Sequence, residues 1–214
     1  MVRAIIFDLD GLLVDTEIIA YRTYQELLAQ IGGAFTKEVY VRQYSGKTLR
    51  ENVVRFIRDY SLPWSMEEGL EKVTAMEAGL LSQGVELKPG GKELLAYLKS
   101  HGYRTALATS SVEDRARRML RQHGLTEYFE QFVFGHEVDK GKPAPDIFRL
   151  ACEKLGEAPE NCLVLEDSGA GIQAARAAGI PVICVPDMKR PPQETLEQTA
   201  AVLDSLDLVI PYLT

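Results

Sequence analysis

The 214-residue chain has little cysteine, histidine or tryptophan: three, three and one. Cys152, Cys162 and Cys184 are odd in number, form no C-x-x-C pair and lie in apolar segments, so they read as small core side chains. His101, His123 and His136 show no ligand spacing. The first two stand directly before Gly102 and Gly124, at expected helix ends where a polar or cationic cap is comfortable, and no catalytic part is assigned to them. Basic residues are outnumbered, 24 against 31 acidic, for a net charge of −7. Without a basic stripe there is no counterion release to drive binding, and no nucleic-acid partner is expected. No apolar run approaches the ~20 residues of a membrane span. The first such run is broken by Asp8 and Asp10, unlike a signal peptide, so neither a membrane partner nor export is expected, and a cytoplasmic location is. What the chain does have is apolar material, 46% against 26% charged, enough for a sizeable core.

From about Tyr103 onward, short β-branched strands alternate with amphipathic helices. The pattern predicts strands at Arg104–Thr109, Gln131–Phe134, Cys162–Leu165, Pro181–Val185 and Leu208–Ile210. Helices are predicted at Glu113–His123, Asp146–Leu155 and Gly171–Ala178, each stopped by a glycine. Such alternation implies βαβ units and a parallel sheet with helices on both faces, to which Ala4–Phe7 also belongs. Between Thr16 and about Ser82 the periodicity is helical throughout, in "TEIIAYRTYQELLAQIGG", "LRENVVRFIRDYSL" and "SMEEGLEKVTAMEAGLLSQG". The fold expected is therefore α/β: a Rossmann-like core over 1–15 and 84–214, with an inserted α-helical cap over 16–83. Trp64, after Pro63 in the insert, reads as interhelix packing.

The first strand ends in "FDLDGLLVDTE". Residues i and i+2 of a strand point to one side, so Asp8 and Asp10 share the crevice where open α/β sheets bind ligands. Like charges there repel unless a cation neutralises them. Gly11 lets the backbone turn and approach a ligand closely. The group suits a nucleophile, an acid/base partner and a hard cation such as Mg²⁺; the plainer alternative is a turn with an Asp cap. Three more strand ends carry signals. "RTALATSS" puts Thr109 at a strand tip, with Ser110 or Ser111 able to cap the next helix. "GKPAPDIF" holds Lys142 extended before Pro143. "CLVLEDSGAGIQAARAAG" tips an apolar strand with Glu166 and Asp167, and two acid-tipped strands side by side would make a divalent-metal site.

Taken in order, "DLDGLLVDT", "LATSS", "KPAPDIF" and "LEDSGAGI" resemble the four motifs of the haloacid dehalogenase superfamily, in its phosphatase and β-phosphoglucomutase-like branch with a helical cap. The resemblance implies a phosphatase of small phosphorylated metabolites, expected as a monomer. Asp8 would be the nucleophile that becomes an aspartyl-phosphate, and Asp10 the acid and base. Mg²⁺ would be held by Asp8, the Asp10 backbone carbonyl and Asp167, with Glu166 nearby or ligating. Thr109, Ser110 and Lys142, with the turn at Gly11, would bind the phosphoryl group. Lys47, in the expected cap loop, would reach the rest of the substrate. A mutase is the alternative, but the cations that the mutase pattern places in and after the cap are here Ala20, Leu49 and Val112.

Two other readings have their own residues. "GKT" at Gly46–Thr48 is the tail of a P-loop, but Val41 stands where the first glycine is needed and no strand precedes it. "GAGIQA" after a strand, with Asp187 beyond the next one, fits a dinucleotide-binding oxidoreductase. Against it, Glu166, Asp167 and Ser168 intervene, and their carboxylates would repel a pyrophosphate.

Overall fold

The computed structural model describes residues 2–213. They fall into two compact units, one made by the residues up to Asp15 with those from Glu86 onward, the other by Thr16–Val85.

The Thr16–Val85 unit is helical: α1 (Thr16–Ala29), α2 (Lys37–Gln43), α3 (Leu49–Asp59) and α4 (Met66–Ser82). Capping boxes fix the starts of α3 and α4. The hydroxyls of Thr48 and Ser65 accept from the N–H of Glu51 and Glu68, whose carboxylates accept in return from the N–H of Thr48 and Ser65. Helix α2, seven residues capped by Thr36 through the Val39 N–H, carries no periodic signal of its own. The interior is aromatic: Tyr24 meets Phe56, and Phe35 meets Tyr44, edge-on at 5.0 Å. Trp64 packs against Phe56 at 6.1 Å. Thr48, the would-be P-loop hydroxyl, is instead the N-cap of α3, and helix α2 rather than a strand precedes it.

The other unit is built on β1 (Ala4–Phe7), β2 (Arg104–Thr109), β3 (Gln131–Phe134), β4 (Cys162–Glu166), β5 (Val182–Cys184) and β6 (Ala201–Val202). All neighbours are parallel, in the order β3-β2-β1-β4-β5-β6. Around the sheet run α5 (Gly91–Ser100), α6 (Glu113–Gln122), α7 (Asp146–Leu155), α8 (Gly169–Ala177) and the short α9 (Gln193–Leu196) and α10 (Val209–Leu213). The sheet is covered on both faces, which is why its strands are continuous apolar runs rather than alternating ones. Ala4 and Ile6 pack with Ile147, Phe148 and Ile172, while Phe7, facing the other way, meets the Phe129 ring at 5.7 Å. Strand order reverses between β1 and β4, so the carboxyl ends of those two strands flank the topological switch point.

Two expectations are corrected. Leu208–Ile210 is not a strand: a 3₁₀ turn (Leu206–Leu208) leads into α10, and the sixth strand is Ala201–Val202. Leu206 and Val209 are buried while Leu208 is exposed; that spacing of three belongs to a helical turn, and the β-branched residues masked it. The helix after β2 is not capped by Ser110 or Ser111. Its N-cap is Val112, with no side-chain hydrogen bond, and Ser111 is used elsewhere. No helix among the described residues is long and apolar enough to cross a membrane.

Candidate active site

Phe7 pairs with Leu107 on one side and Leu165 on the other, so Asp8 emerges level with Ala108 of β2 and Glu166 of β4. Lys142 ties the three strands together. Its Nζ donates to Asp8 Oδ1 at 2.5 Å, Glu166 Oε1 at 2.7 Å and the Ala108 carbonyl at 3.2 Å. All three donors of the ammonium are used, and the side chain is 8% exposed. Burial works against its charge, but the carboxylates of Asp8 and Glu166 outweigh it and hold the Lys142 pKa above the ordinary lysine value. Burial pushes the Asp8 pKa up to about 7; Lys142 opposes the rise, and Glu166 and Asp10 add to it.

Asp10 is held on the β2 side. Ser111 Oγ donates to Oδ2 at 2.6 Å and Arg115 Nη2 to Oδ1 at 3.1 Å. Thr109 is buried, and its Oγ1 accepts from the Ser111 N–H at 3.0 Å, fixing the loop that delivers Ser111. Ser110 is exposed. Lys47 is an exposed residue of the helical unit, on the rim of a cavity of about 160 Å³ that Glu17, Tyr24, Tyr40 and Asn52 also line. The Tyr44 hydroxyl and Asn52 Oδ1, both from this lining, are buried without a hydrogen-bond partner.

Glu166, expected beside the metal, is engaged differently. Oε1 takes the Lys142 ammonium, and Oε2 accepts from the N–H groups of Asp167 and Ser168 and from Ser168 Oγ. Its carboxylate lies against Gly171, where an added Cβ would fall 1.8 Å from Glu166 Oε1. The start of α8 is thus filled by the protein's own carboxylate. A dinucleotide pyrophosphate has no place there, and the oxidoreductase reading fails on that contact.

Asp167 stands across from Gly11. The glycine has φ +81°, and a Cβ there would lie 2.5 Å from Asp167 Oδ2. Burial raises the Asp167 pKa well above the usual carboxylate range, with Glu166, Asp8 and Asp187 reinforcing the rise and Lys142 opposing it. Two groups complete the cluster, Lys88, which sequence reasoning left out, and Asp187, which it had placed only in the dinucleotide reading: Lys88 Nζ donates to Asp187 Oδ1 at 2.7 Å. Both had a signal. Lys88 precedes Pro89 as Lys142 precedes Pro143, and Asp187 follows the end of β5 as the other acids follow β1 and β4.

These residues suit a divalent cation. Four carboxylates (Asp8, Glu166, Asp167, Asp187) face two ammonium groups, so negative charge is in excess, while burial, with the neighbouring carboxylates adding to it, raises the proton affinity of Asp8 and Asp167. Among the described residues no three His, Cys, Asp or Glu side chains converge as a ready-made cage. Two carboxylates with a backbone carbonyl form the sparse, hard-oxygen set that leaves room for the waters Mg²⁺ retains.

Two measurements follow. Gly11→Ala must adopt a left-handed conformation costing about 1–2 kcal/mol and also displace Asp167; a denaturant melt should show a loss of at least that size. The raised Asp8 pKa means the folded protein holds a proton between about pH 4 and 7 that the unfolded chain has released. In EDTA, the stability of the wild type relative to Asp8→Asn should therefore fall as pH rises from 4 to 7 and then level off. A flat difference would remove Asp8 as the titrating group.

A parallel sheet whose central strand ends in an aspartate, with a buried lysine clamped between two acid-tipped strands, defines a Rossmann-like α/β enzyme core. Residues 5–185 match the haloacid dehalogenase-like hydrolase family, and the chain belongs to it. It is an enzyme, a phosphoric monoester hydrolase of that type. It is 35% identical over 178 residues to the "phosphorylated carbohydrates phosphatase" of Thermotoga maritima, covering 83% of this chain and 82% of that one. Among solved structures it resembles a haloacid dehalogenase family hydrolase from Deinococcus radiodurans with bound phosphate and sodium. That match has a TM-score of 0.84 at 28% identity, covering 98% of this chain and 93% of the other. It also resembles the β-phosphoglucomutase of Clostridium difficile, with a TM-score of 0.73 at 25% identity and coverage of 100% and 96%.

Proposed function

We propose that the chain is a Mg²⁺-dependent phosphatase of small phosphorylated metabolites of the sugar-phosphate kind, working through an aspartyl-phosphate on Asp8. The observation that carries this reading is the Lys142 clamp. A single ammonium, held rigidly by three acceptors, sets one Asp8 oxygen in place at the switch point and offsets charge where a phosphoryl group would arrive. In the first half-reaction Asp8 attacks phosphorus, the ester P–O bond breaks, and Asp10 gives its proton to the leaving oxygen. In the second, water attacks the same phosphorus, Asp10 takes the water's proton, and inorganic phosphate leaves Asp8 free. Ser111 and Arg115 hold Asp10 between turnovers; Thr109 would donate to a phosphoryl oxygen, and Lys142 would exchange its longest bond, 3.2 Å to the Ala108 carbonyl, for another. Held by Asp8, Asp167 and the Asp10 carbonyl, Mg²⁺ would neutralise charge on the transferring group. Phosphoryl transfer asks for little beyond such positioning and charge compensation.

The helical unit would choose the substrate. Its small cavity, with an unmet hydroxyl and an unmet amide oxygen, suits a hydroxyl-bearing group. The likeness to a β-phosphoglucomutase keeps a mutase in view. A mutase must retain a bisphosphorylated intermediate, and Ala20, Leu49 and Val112 supply no cation for a second phosphate. The test is phosphate release from a panel of sugar phosphates and para-nitrophenyl phosphate, with Mg²⁺ and with EDTA, including β-glucose 1-phosphate checked for isomerisation. Mg²⁺-dependent release is expected. Isomerisation outpacing release would make the chain a mutase, and inertness towards every ester would end the reading.

A further inference from the structure

Asp187 is used by none of the steps above, yet it is among the most constrained carboxylates in the molecule. Its side chain is 5% exposed. Oδ1 is paired with Lys88, while Oδ2 is buried with no hydrogen-bond partner. Leaving a buried acceptor unmet is costly, more so when it is charged, so such an atom calls for a donor. The direction in which it points is defined by Gly11: the place where that residue's Cβ would sit is 3.1 Å from Asp187 Oδ2 and 2.5 Å from Asp167 Oδ2. The two carboxylate oxygens border the same point. The lysines are already placed, Lys88 on Oδ1 and Lys142 on Asp8 and Glu166. Direct ligation of a metal by Asp187 is disfavoured because no three acidic side chains among the described residues converge on one centre.

We propose that Asp187 is a positioning residue for the divalent cation. Its Oδ2 accepts a hydrogen bond from a water molecule of the cation's hydration shell, while Lys88 stays paired with Oδ1 and takes no part in holding the cation. The inference rests on the Mg²⁺ reading above. A purely structural role, the Lys88–Asp187 pair stapling the end of β5 to the segment before α5, explains Oδ1 but leaves Oδ2 without a reason.

The experiment is calorimetric titration of Mg²⁺ alone into EDTA-stripped and dialysed protein, for the wild type, Asp187→Asn and Lys88→Met. Circular dichroism and thermal melts in EDTA establish that each variant is folded. Asp187→Ser replaces the Asn variant if that one does not fold, with the same comparison. Asp187→Asn is expected to weaken Mg²⁺ binding by ~10–100-fold, the usual effect of losing a group that orients a metal's first shell. Lys88→Met, which breaks the same ion pair but keeps the carboxylate, should not weaken it. Wild-type affinity in Asp187→Asn, or equal losses in both variants, overturns the proposal. Failure of the wild type to bind Mg²⁺ overturns the metal reading itself, so the two failures are told apart.

Discussion

Asp8→Asn is expected to reduce phosphate release by about 10⁴- to 10⁶-fold, the range seen when a covalent nucleophile and its partners are removed from a hydrolase. The substitution is nearly isosteric, and the amide oxygen can still accept from Lys142, whose Nζ lies 2.5 Å from Oδ1. An amide oxygen is nevertheless a poor nucleophile towards phosphorus, so the loss should appear in kcat while the fold survives. Phosphate release in Mg²⁺ by protein from a phosphatase-poor host, alongside a melt, checks both. A residual rate within a hundredfold of the wild type would take Asp8 out of the nucleophile's role.

The second large effect concerns Lys142→Met. Removing one partner of a buried ion pair leaves charge uncompensated and commonly costs about 3–5 kcal/mol; here two carboxylates, Asp8 and Glu166, lose their cation. The loss should be smaller at pH 6 than at pH 8. With a pKa already near 7 and its ammonium gone, Asp8 escapes the penalty by staying protonated. Activity should fall about 10²- to 10³-fold, as when one preorganised donor is removed from a transition state. Lys142→Arg is not expected to rescue it. Three acceptors surround a single nitrogen at 2.5, 2.7 and 3.2 Å, and a planar guanidinium spreads its donors over a wider fork. Full activity in the arginine variant would show that any cation suffices.

Much of this was legible in the sequence because strand tips carry their chemistry locally. Asp8, Asp10, Thr109, Glu166 and Asp167 each end or follow an apolar run that could only be a buried strand, and glycine stops bracket the helices between. What escaped depends on contacts across the chain. The carboxylate of Glu166 looks like any other acid until its neighbours are known; only the fold shows it committed to Lys142 and the first turn of α8. Ser111 reads as a cap by position, but β2 delivers it to Asp10 instead. Arg115 lies in a run of three arginines between Glu113 and Met119, and nothing in that run marks the one that turns inward. The two-residue β6 is too short to carry a period, whereas the apolar residues near Leu208 imitate one.

β1 has a consequence for how the molecule is made. It occupies the middle of the sheet, yet its partners begin at Arg104 and Cys162. On the ribosome the strand emerges before both of its partners and waits about a hundred residues for the nearer one, while the whole Thr16–Val85 unit leaves the tunnel and can fold in the interval. Until β2 arrives, an apolar segment with both edges open is exposed to wrong pairings. Assembly of the sheet, not of the helices, should therefore set the pace of folding.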